Sequence, residues 1–489
     1  MNTSKTVMSP EKSAASPPHV HPYLVLTICC MCLLLLTMDV TIISVALPAI
    51  QLDLHASLAG LQWVVDAYTL ILAGLMIFSG SMSDRYGRRR FFQIGLTLFC
   101  AGSLLCSLAH SIGGLIFYRV LQGLGASVLN SVAIAIIAHV FPDPKERARA
   151  IGIWGAVLGI SLAIGPVLGG ALTQTIGWRA IFWINLPVCV AAMALTARFV
   201  PESKAACARA FDPAGQILVL TFLLSLTYAI IESPQDGWTS VPSLVLFAVA
   251  ALCMILFLVL ERRCRDPLID LRFFHSVPFT SAFVLALLSH ASFASFLFLN
   301  ALYLQQVRGY SAFHTGLCTL PCAVMIIVMS PLSGRMVGRY GARPSLAVAG
   351  LGFLLSTLLL TTLSPETPLP QMMLAYALFG IGMGMINPTI TNSSVSGMPL
   401  AQAGVAGAIA STGRQVGIAL GVAVAGAIVS TSRARGMNFT QATHPIWWTM
   451  SACGVIALFF SWVTTTGWAR RSTSKIASLF PSAEATPAK

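Results

Sequence analysis

The sequence predicts an all-α membrane protein with fourteen membrane-spanning helices, and three observations support this fold class. Of the 489 residues, 56% are hydrophobic and only 9% are charged, whereas a soluble domain carries roughly 25% charged residues. The apolar residues form repeated runs of about 20 residues, the length that crosses a bilayer as a helix. These runs are continuous and do not alternate with period two, which favours helices over a closed barrel.

The apolar runs give the spans in chain order. No loop between them is long enough for a soluble domain. Most of the twelve cysteines lie in these runs and are interpreted as packing residues, with no spacing that resembles a metal site. The predicted spans are 23–49, 58–80, 91–108, 114–138, 151–172, 180–198, 214–232, 241–260, 279–304, 313–334, 345–363, 371–391, 404–430 and 447–468.

The basic residues predict the orientation of these spans. Because fourteen is even, both termini share one side of the membrane. With both termini inside, 23 of the 29 lysines and arginines fall in inside segments, four fall outside and two lie within spans. This asymmetry follows the positive-inside rule and predicts a multi-pass protein of the cell (inner) membrane with cytoplasmic termini. It also accounts for the net charge of +13, so a nucleic-acid partner is not expected.

An internal repeat divides the chain. The loop GSMSDRYGRRR (80–90) follows the second span, and GRMVGRYGARP (334–344) follows the tenth. Gly338 of the second copy stands where the first copy has Asp84. Two copies at these places predict two six-helix bundles separated by two inserted helices, with a substrate site near the midplane between the bundles. The predicted units are a cytoplasmic tail (1–22), the first bundle (23–198), a linker with the inserted helices (199–278), the second bundle (279–470) and a second tail (471–489).

Further motifs lie at defined places on the spans. They are MDVTIISVALP (38–48), WVVDAY (63–68), RVLQGLGA (119–126), GAVLGISLAIGPVLGG (155–170), WRAIFWINLP (178–187), IIESPQDGW (230–238), DPLIDLRFF (266–274) and GRQVG (413–417). With the repeated loop, they resemble the major facilitator superfamily and, within it, the fourteen-helix drug:proton antiporter branch of the EmrB/QacA type. The methylenomycin-resistance-like members are the most similar.

This resemblance implies a secondary transporter, not an enzyme, that exports small amphiphilic compounds by alternating access. Antimicrobials are the expected cargo, and the proton is the expected coupling ion, with no other cofactor. A periplasmic adaptor protein is expected if the cell is Gram-negative. No Walker-type phosphate loop is present, so ATP is not expected to drive transport. Three alternatives stay open: export of an endogenous metabolite, inward proton symport, and a membrane sensor or scaffold that transports nothing.

The first copy of the repeated loop is a candidate conformational switch. Gly80 and Gly87 permit a tight turn between helices, and Asp84 is the one acid beside Arg85 and Arg88. An aspartate there can pair with the arginines or cap a helix N-terminus, which would hold one conformation of the transporter. The alternative is ordinary inside charge in a solvated loop.

The fifth span carries a candidate seam between the bundles. Gly159, Gly165, Gly169 and Gly170 are expected on roughly one helical side, with Pro166 among them. Small residues let helices approach closely, and proline loosens the local hydrogen-bond ladder. The resemblance implies that this is the antiporter signature; the alternative is static close packing.

Charges within the spans are the candidate coupling residues. Asp39, Asp66, Arg119 and Arg414 lie inside apolar runs, where a charge costs roughly 2.5–3.5 kcal/mol on insertion scales. The first three are expected at similar depth in the outer half, and Arg414 near mid-depth. A carboxylate between a burial penalty and a nearby arginine can load and release a proton. We assign that role to Asp39 or Asp66 with Arg119 as modulator; the alternative is a fixed Asp–Arg pair.

Four further side chains are candidate cavity residues. Arg414, Gln415, Asn387 and Trp154 are polar or aromatic residues within spans. They can line a substrate cavity, or they can bond between helices and pack in the core. The four charges within spans sum to zero when all ionise, so the cavity is not plainly anionic.

Overall fold

The computed structural model describes residues 21–204, 212–264, 267, 269–396, 398, 400–464, 466, 469 and 471–472. Almost all of the two predicted tails, and residues 205–211, 265–266 and 268 of the predicted linker, therefore lie outside the described residues. Regular secondary structure in the described part of the chain is entirely helical. This is the outcome expected of a chain that must satisfy its backbone within the bilayer.

Seven helices account for the first six predicted spans. The sixth span is broken between Trp183 and Asn185, which divides it into two helices. The helices are α1 (Pro22–Asp53), α2 (Leu58–Tyr86), α3 (Arg88–Ser107), α4 (Ile112–Val140), α5 (Pro144–Thr175), α6 (Ala180–Trp183) and α7 (Asn185–Phe199). We call α1 to α7 the N-terminal bundle.

Nine helices account for the other eight spans. The ninth span continues beyond its α-helix as a π-helical turn, Tyr303–Val307, and a 3₁₀ turn, Leu271–His275, precedes it. The helices are α8 (Pro213–Asp236), α9 (Val241–Arg263), α10 (Val277–Leu302), α11 (Ala312–Cys318), α12 (Leu320–Tyr340), α13 (Ala342–Leu360), α14 (Leu369–Val395), α15 (Leu400–Ala434) and α16 (Phe439–Val463). We call α10 to α16 the C-terminal bundle.

The predicted number of spans agrees with these helices. Among the described residues, thirteen helical stretches are long and apolar enough to cross a membrane. Helix α5 is not one of the thirteen, but its 32 residues correspond to a length of about 48 Å, which exceeds the hydrocarbon core. The predicted fold class, an all-α membrane protein with fourteen membrane-length helices, is therefore confirmed.

The two bundles repeat the same helix pairs. In the N-terminal bundle, α1 packs on α5, α2 packs on α4, and α3 packs on α4 and α7. In the C-terminal bundle, α10 packs on α15, α12 packs on α14, and α13 packs on α14 and α16. These pairs correspond span by span when the repeated loops are aligned. They support the predicted six-two-six order, whose exact boundaries stay a prediction.

The two helices between the bundles form a hairpin that contacts both of them. Helix α8 packs on α9, on α2 and on α15. Two polar contacts join α8 to α2: Trp63 donates its Nε1–H to Glu232 at 2.8 Å, and Gln216 donates to the Gly74 carbonyl. Its contact with α15 includes the apolar side chain of Leu223. In the turn of the hairpin, Trp238 also donates to the Thr431 hydroxyl of α15 at 3.4 Å, so the hairpin is bonded to both bundles.

Three glutamines join the bundles near the end at which α1 finishes and α2 begins, which we call the α1–α2 end. Gln305 donates to the Val45 carbonyl at 2.8 Å. Gln306 donates to the Gln51 amide oxygen at 2.7 Å. Gln62 of α2 donates to a carbonyl of α15 at 2.9 Å. The bundles are therefore closed against each other at this end.

The repeated loops have the same backbone design, with one correction to the sequence interpretation. Helix α2 ends at Tyr86 and is followed by Gly87 with φ +124°, while α12 ends at Tyr340 and is followed by Gly341 with φ +79°. Both φ values favour glycine, which supports a turn role for Gly87. Gly80 is not in the turn, because α2 continues as a helix through the polar residues after the apolar run.

Candidate functional site

Helices α1 and α4 bring two of the predicted charges into a buried ion pair. Arg119 Nη1 lies 2.5 Å from Asp39 Oδ2, and the side chains are 0% and 1% exposed. Removing charges from water is costly unless the remaining polar atoms are also satisfied. The surroundings of each partner therefore decide what the pair can do.

The carboxylate of Asp39 is held by three donors. In addition to Arg119, Gln122 donates its Nε2–H to Oδ1 at 2.8 Å and Asn185 donates its Nδ2–H to the same oxygen at 3.4 Å. Gln122 and Asn185 also reach the Ser103 hydroxyl, at 2.8 and 3.2 Å. Hydrogen bonds to a carboxylate stabilise its charged form. Both carboxylate oxygens of Asp39 are thus hydrogen-bonded inside the N-terminal bundle.

Sequence reasoning missed Gln122 and Asn185, the two amide partners of Asp39, and Ser103, which binds both amides, although Gln122 and Asn185 carried a usable signal. Gln122 follows Arg119 by three residues within RVLQGLGA, so both lie on one face of α4. Asn185 is the polar residue of WRAIFWINLP. Ser103 gave no signal, because serines are common in membrane helices.

The guanidinium of Arg119 also binds α2. Its Nε donates to the Val64 carbonyl at 3.0 Å, and its plane lies 4.3 Å from the ring centroid of Tyr68, within range of a cation–π contact. Its Nη2 has no hydrogen-bond partner among the described residues. The ion pair therefore ties α1, α4 and α2 together.

Asp66 does not join this cluster, which corrects its grouping with Asp39 and Arg119. It lies two residues from both Val64 and Tyr68, and two residues rotate a helix by about 200°. Its side chain consequently faces away from Arg119. It is 0% exposed, and neither carboxylate oxygen has a hydrogen-bond partner among the described residues.

The side chain of Asp66 points to the junction of α2, α8 and α15. Gln62 and Leu70 lie one turn before and after it on the same face of α2. Gln62 bonds to α15, and Leu70 packs with Leu223 of α8 and Ala419 of α15. A carboxylate buried without a partner is strongly unfavourable. This junction accommodates the neutral acid and leaves the anion unsolvated.

A small apolar cavity lies between the two bundles. Four helices contribute to it: α1 and α2 from one bundle, α10 and α15 from the other. This is the place where the sequence predicts a substrate site. The lining residues are Val40, Ser44, Val65, Phe293, Ala294, Leu297, Phe298, Ile418 and Val422.

The structure does not bring the four candidate cavity residues together. Arg414 precedes the cavity-lining Ile418 by four residues on α15 and lies on the same face. Trp154 instead packs against the core of the N-terminal bundle. Gln415 and Asn387 each have a buried amide oxygen without a partner among the described residues. Of the four, Arg414 and Gln415 are the two that helical spacing on α15 places beside the cavity.

In the first copy of the repeated loop, Asp84 forms an ion pair with one of the neighbouring arginines. Its carboxylate and the Arg88 guanidinium are 2.8 Å apart across the turn. Arg85 lies 5.8 Å from the centroid of the Tyr86 ring and forms no ion pair with Asp84. The predicted Asp–Arg contact is present, but its role as a conformational switch stays a prediction.

Sequence reasoning missed Glu202, which binds this loop. Its Oε1 accepts hydrogen bonds from the backbone N–H groups of Arg89 and Ser203, both at 3.1 Å. Its Oε2 lies 3.8 Å from Arg90 Nε. Arg89 is in the first turn of α3, where free N–H groups favour an anion. A Cβ on Gly87 would lie 2.7 Å from Glu202 Oε1, so the glycine also makes room for this contact.

The predicted seam residues of α5 lie on two faces, which corrects their placement on one side. Gly165 and Gly169 face α1: a Cβ at Gly165 would meet Thr41, and one at Gly169 would lie 2.9 Å from the Ile42 carbonyl oxygen. These contacts lie within the N-terminal bundle. They allow α1 and α5 to pack closely, and they do not contribute to the boundary between the bundles.

The other seam residues face the C-terminal bundle. A Cβ on Gly170 would lie 2.8 Å from the carbonyl carbon of Ala312, and one on Gly159 would lie 3.3 Å from a side chain of α12. The carbonyl of Pro166 faces Gly316. Gly159, Pro166 and Gly170 differ by about 20–40° around α5, whereas Gly165 and Gly169 lie about 100° away. The boundary between the bundles therefore uses three of the five residues.

Comparison with known proteins identifies the family. The model of the Major Facilitator Superfamily matches residues 29–422. Multidrug resistance protein Stp of Mycobacterium tuberculosis is 40% identical over 394 residues, which cover 80% of this chain and 73% of Stp. The tetracenomycin C resistance and export protein of Streptomyces glaucescens is 36% identical over 392 residues, 80% and 73% of the two chains. The methylenomycin A resistance protein of Streptomyces coelicolor is 32% identical over 391 residues, which cover 79% of this chain and 81% of that protein.

Solved structures agree on the fold. A D-xylose–proton symporter matches with a TM-score of 0.64 at 16% identity, covering 91% of this chain and 98% of the symporter. The human organic anion transporter MFSD10 matches with a TM-score of 0.61 at 16% identity, covering 91% and 100%. From the family match, the similar relatives and the two related bundles of membrane-length helices, we conclude that this chain belongs to the Major Facilitator Superfamily and is a multi-pass membrane transporter, not an enzyme.

Proposed function

We propose that this chain exports small amphiphilic compounds in exchange for protons, by alternating access between its two bundles. The relatives support the cargo class, because their names refer to multidrug resistance, tetracenomycin C export and methylenomycin A resistance. Antimicrobials are accordingly the cargo that we propose. The proton is the coupling ion, and no other cofactor is part of the proposal.

The observation that carries the proton coupling is the isolation of Asp66. Its carboxyl group is fully buried without a partner, between the N-terminal bundle, the inserted α8 and the C-terminal α15. This junction closes when the bundles meet at the α1–α2 end. A neutral Asp66 fits the closed junction, whereas an ionised Asp66 would oppose closure.

This environment supports a specific coupling rule. When the α1–α2 end opens, water reaches Asp66 and the acid exchanges its proton with that side of the membrane. The transporter then closes that end again only after Asp66 has taken up a proton. Loss of that proton to the other side leaves an unsolvated anion in the closed junction, which drives the α1–α2 end open again and completes one exchange. A proton that is obligatory for one direction of the cycle is what active transport requires.

Asp39 and Arg119 have a different place in the proposal. Their charges neutralise each other, and Gln122 and Asn185 complete the solvation of the carboxylate. We assign the proton to Asp66 and give the Asp39–Arg119 pair the task of holding α1, α2 and α4 as one body. Arg119 then modulates Asp66 through the position of α2, without direct contact.

The charge distribution supports an orientation for this cycle. Because 23 of the 29 lysines and arginines lie on the side of the termini, we infer that both termini are cytoplasmic and that the protein lies in the cell (inner) membrane. The closed α1–α2 end then faces outward. In a Gram-negative cell, a periplasmic adaptor protein would be needed for export across the outer membrane.

The energetics are sufficient for such a cycle. One proton that enters down about 150 mV supplies roughly 3.5 kcal/mol, and half a unit of pH adds roughly 0.7 kcal/mol. Together these support a concentration gradient on the order of a thousandfold for an uncharged cargo. Hydrolysis of ATP is not required.

A test compares active transport with passive exchange in proteoliposomes. A growth-inhibition panel of cells with and without the protein first selects a transported compound. We expect Asp66→Asn to lose accumulation driven by a pH gradient by at least tenfold, because an amide cannot carry a proton. We expect the same variant to keep exchange of labelled for unlabelled compound, because the neutral amide fits the closed junction.

Glu232→Gln is the matched control for the Asp66 variant. The amide oxygen of the glutamine can still accept the hydrogen bond from Trp63 Nε1. We therefore expect coupled transport by this variant to stay within about twofold of the wild type. Coupled transport at the wild-type rate by Asp66→Asn would remove this residue from the mechanism. Loss of both accumulation and exchange would show that Asp66 serves folding or binding and not coupling.

A further inference from the structure

Arg414 is a cation beside the central cavity without a protein partner. No ion pair or hydrogen bond of its guanidinium joins it to the described residues, and its Nε is buried and unpaired. It lies one turn from Ile418 and two turns from Val422 on the same face of α15, and both residues line the cavity. The side chain as a whole is partly exposed, so the guanidinium is accessible to an anionic group, with no protein partner that competes for it.

The neighbouring groups do not supply an anion. His290 of α10 interacts electrostatically with Arg414, but an imidazole is neutral or positive. Its Nδ1 is within 3.0 Å of the Ala286 carbonyl oxygen, in its own helix. The two acids of the spans are also excluded, because Asp39 is bound to Arg119 and Asp66 lies in the closed junction.

We infer that Arg414 is an anion subsite, and that the cargo is an amphiphile with a carboxylate or a comparably acidic oxygen group. The guanidinium would bind this group in two parallel hydrogen bonds, the arrangement that arginine favours with carboxylates. The apolar body of the cargo would lie one to two turns further along α15, against Phe293, Leu297 and Ile418. This inference rests on the proposed export function and adds the chemical class of the cargo.

Two rhodamine dyes provide a matched test. Rhodamine 110 carries a free carboxylate, and rhodamine 123 is its methyl ester with the same ring system. We expect the purified wild-type protein in detergent to bind rhodamine 110 about tenfold to a hundredfold more tightly than rhodamine 123, the range for hydrogen bonds to a charged group. We expect Arg414→Gln to bring the two dissociation constants within about twofold of each other, mainly by weakening rhodamine 110.

Arg433→Gln is the matched control. This residue is on the same helix and exposed, and its replacement should change neither dissociation constant. Equal weakening of both dyes by Arg414→Gln would show a general effect on the cavity and overturn the subsite. If the wild-type protein does not bind rhodamine 110, or does not prefer it over rhodamine 123, the inference is overturned. This measurement needs no variant, so it decides the question even if Arg414→Gln fails to fold.

The same samples separate this inference from the proposed function. Binding in detergent needs no proton gradient, whereas coupled accumulation in proteoliposomes does. A preference for the carboxylate dye together with absent proton-driven transport would refute the coupling and keep the subsite. Intact coupled transport of another compound without that preference would refute the subsite and keep the coupling.

Discussion

At the scale of single residues, two acids that look alike in the sequence have different surroundings, because they lie on differently oriented helix faces. Asp39 meets Arg119 and two amide donors, so its charge is neutralised inside one bundle. Asp66 is on the opposite face of α2 from the residues that touch Arg119, and it meets no donor among the described residues. The surroundings of Asp39 suit a permanent charge, whereas those of Asp66 suit an acid that binds and releases a proton during the cycle.

This difference predicts unequal effects on stability. We expect Asp39→Asn to lower the free energy of unfolding by about 3–5 kcal/mol, because Arg119 would remain as a buried unpaired charge. The double variant Asp39→Asn with Arg119→Gln should recover part of this loss. Thermal unfolding in detergent, analysed as a double-mutant cycle, measures the coupling between the two residues.

The exposed pair Asp53–Arg179 is the control for that cycle. Its atoms are 2.7 Å apart, but the side chains of Arg179 and Asp53 are 33% and 47% exposed. Such pairs contribute about 0–1 kcal/mol, so the same substitutions there should have little effect. A cost at Asp39 as small as that at Asp53 would contradict a structural role for the buried pair.

A second residue-scale prediction concerns the glycine turns of the two repeated loops. Gly87→Ala and Gly341→Ala both place a side chain at positive φ, which costs about 1–3 kcal/mol. A Cβ on Gly87 also meets Glu202, whereas no atom lies within 4 Å of one on Gly341. We therefore expect the larger loss of thermal stability at Gly87. Equal losses would mean that Glu202 moves aside without cost.

At the scale of elements, α5 has two contact faces with different tasks. Gly165 and Gly169 let α1 approach within one bundle, and Gly170 and Pro166 let α11 approach from the other. The close packing within the bundle can stay constant while the bundles move. The contact with α11 lies toward the α1–α2 end of the span and must separate when that end opens.

Gly170→Ala tests which contact limits closure. Its Cβ would lie 2.8 Å from backbone atoms of Ala312 and Phe313, which cannot yield as a side chain can. We expect the variant to favour the conformation that is open at the α1–α2 end. In a background without the native cysteines, crosslinking between cysteines at positions 51 and 306 should fall at least threefold.

Gly159→Ala is the matched control on the same helix. Its Cβ would lie 3.3 Å from the side chain of Ile327, which can adjust by a few tenths of an ångström. We expect its crosslinking yield to equal that of the unsubstituted protein. An unchanged yield in Gly170→Ala as well would show that α11 shifts without opening this end.

At the scale of the whole molecule, the chain is two related bundles with a hairpin between them. The hairpin is bonded to α2 through Trp63 and Glu232, and to α15 through Trp238, which donates to the Thr431 hydroxyl at 3.4 Å. Asp66 lies where these three parts meet, so its charge acts on the motion of whole bundles.

The topology gives a prediction at this scale. Reporter fusions after Arg198 and after Lys475 should both report a cytoplasmic location, because six and fourteen spans return the chain to the side on which it started. A fusion after Gly237, between α8 and α9, should report the outside. A periplasmic signal from the fusion after Lys475 would contradict fourteen spans.

Much of this description could be predicted from local sequence. Long apolar runs predicted the helices, because backbone hydrogen bonds within one segment are the solution that a bilayer allows. The repeated loop predicted two glycine turns, and Gly87 and Gly341 occupy them at positive φ. The same reasoning misplaced Gly80, because the end of an apolar run is not the end of a helix.

The sequence by itself determined the number of spans, their charge asymmetry and the identity of the buried charges, since these depend on residues that are neighbours in the chain. Only the tertiary structure decided that Arg119 pairs with Asp39 and not with Asp66, that Glu202 binds the loop at Gly87, and that Arg414 is left without a partner. Tertiary contacts of this kind join residues far apart in the chain, such as Asp39 and Asn185, which are 146 positions apart. They depend on the rotation of each helix about its axis, which apolar runs without a strong polar face leave undetermined.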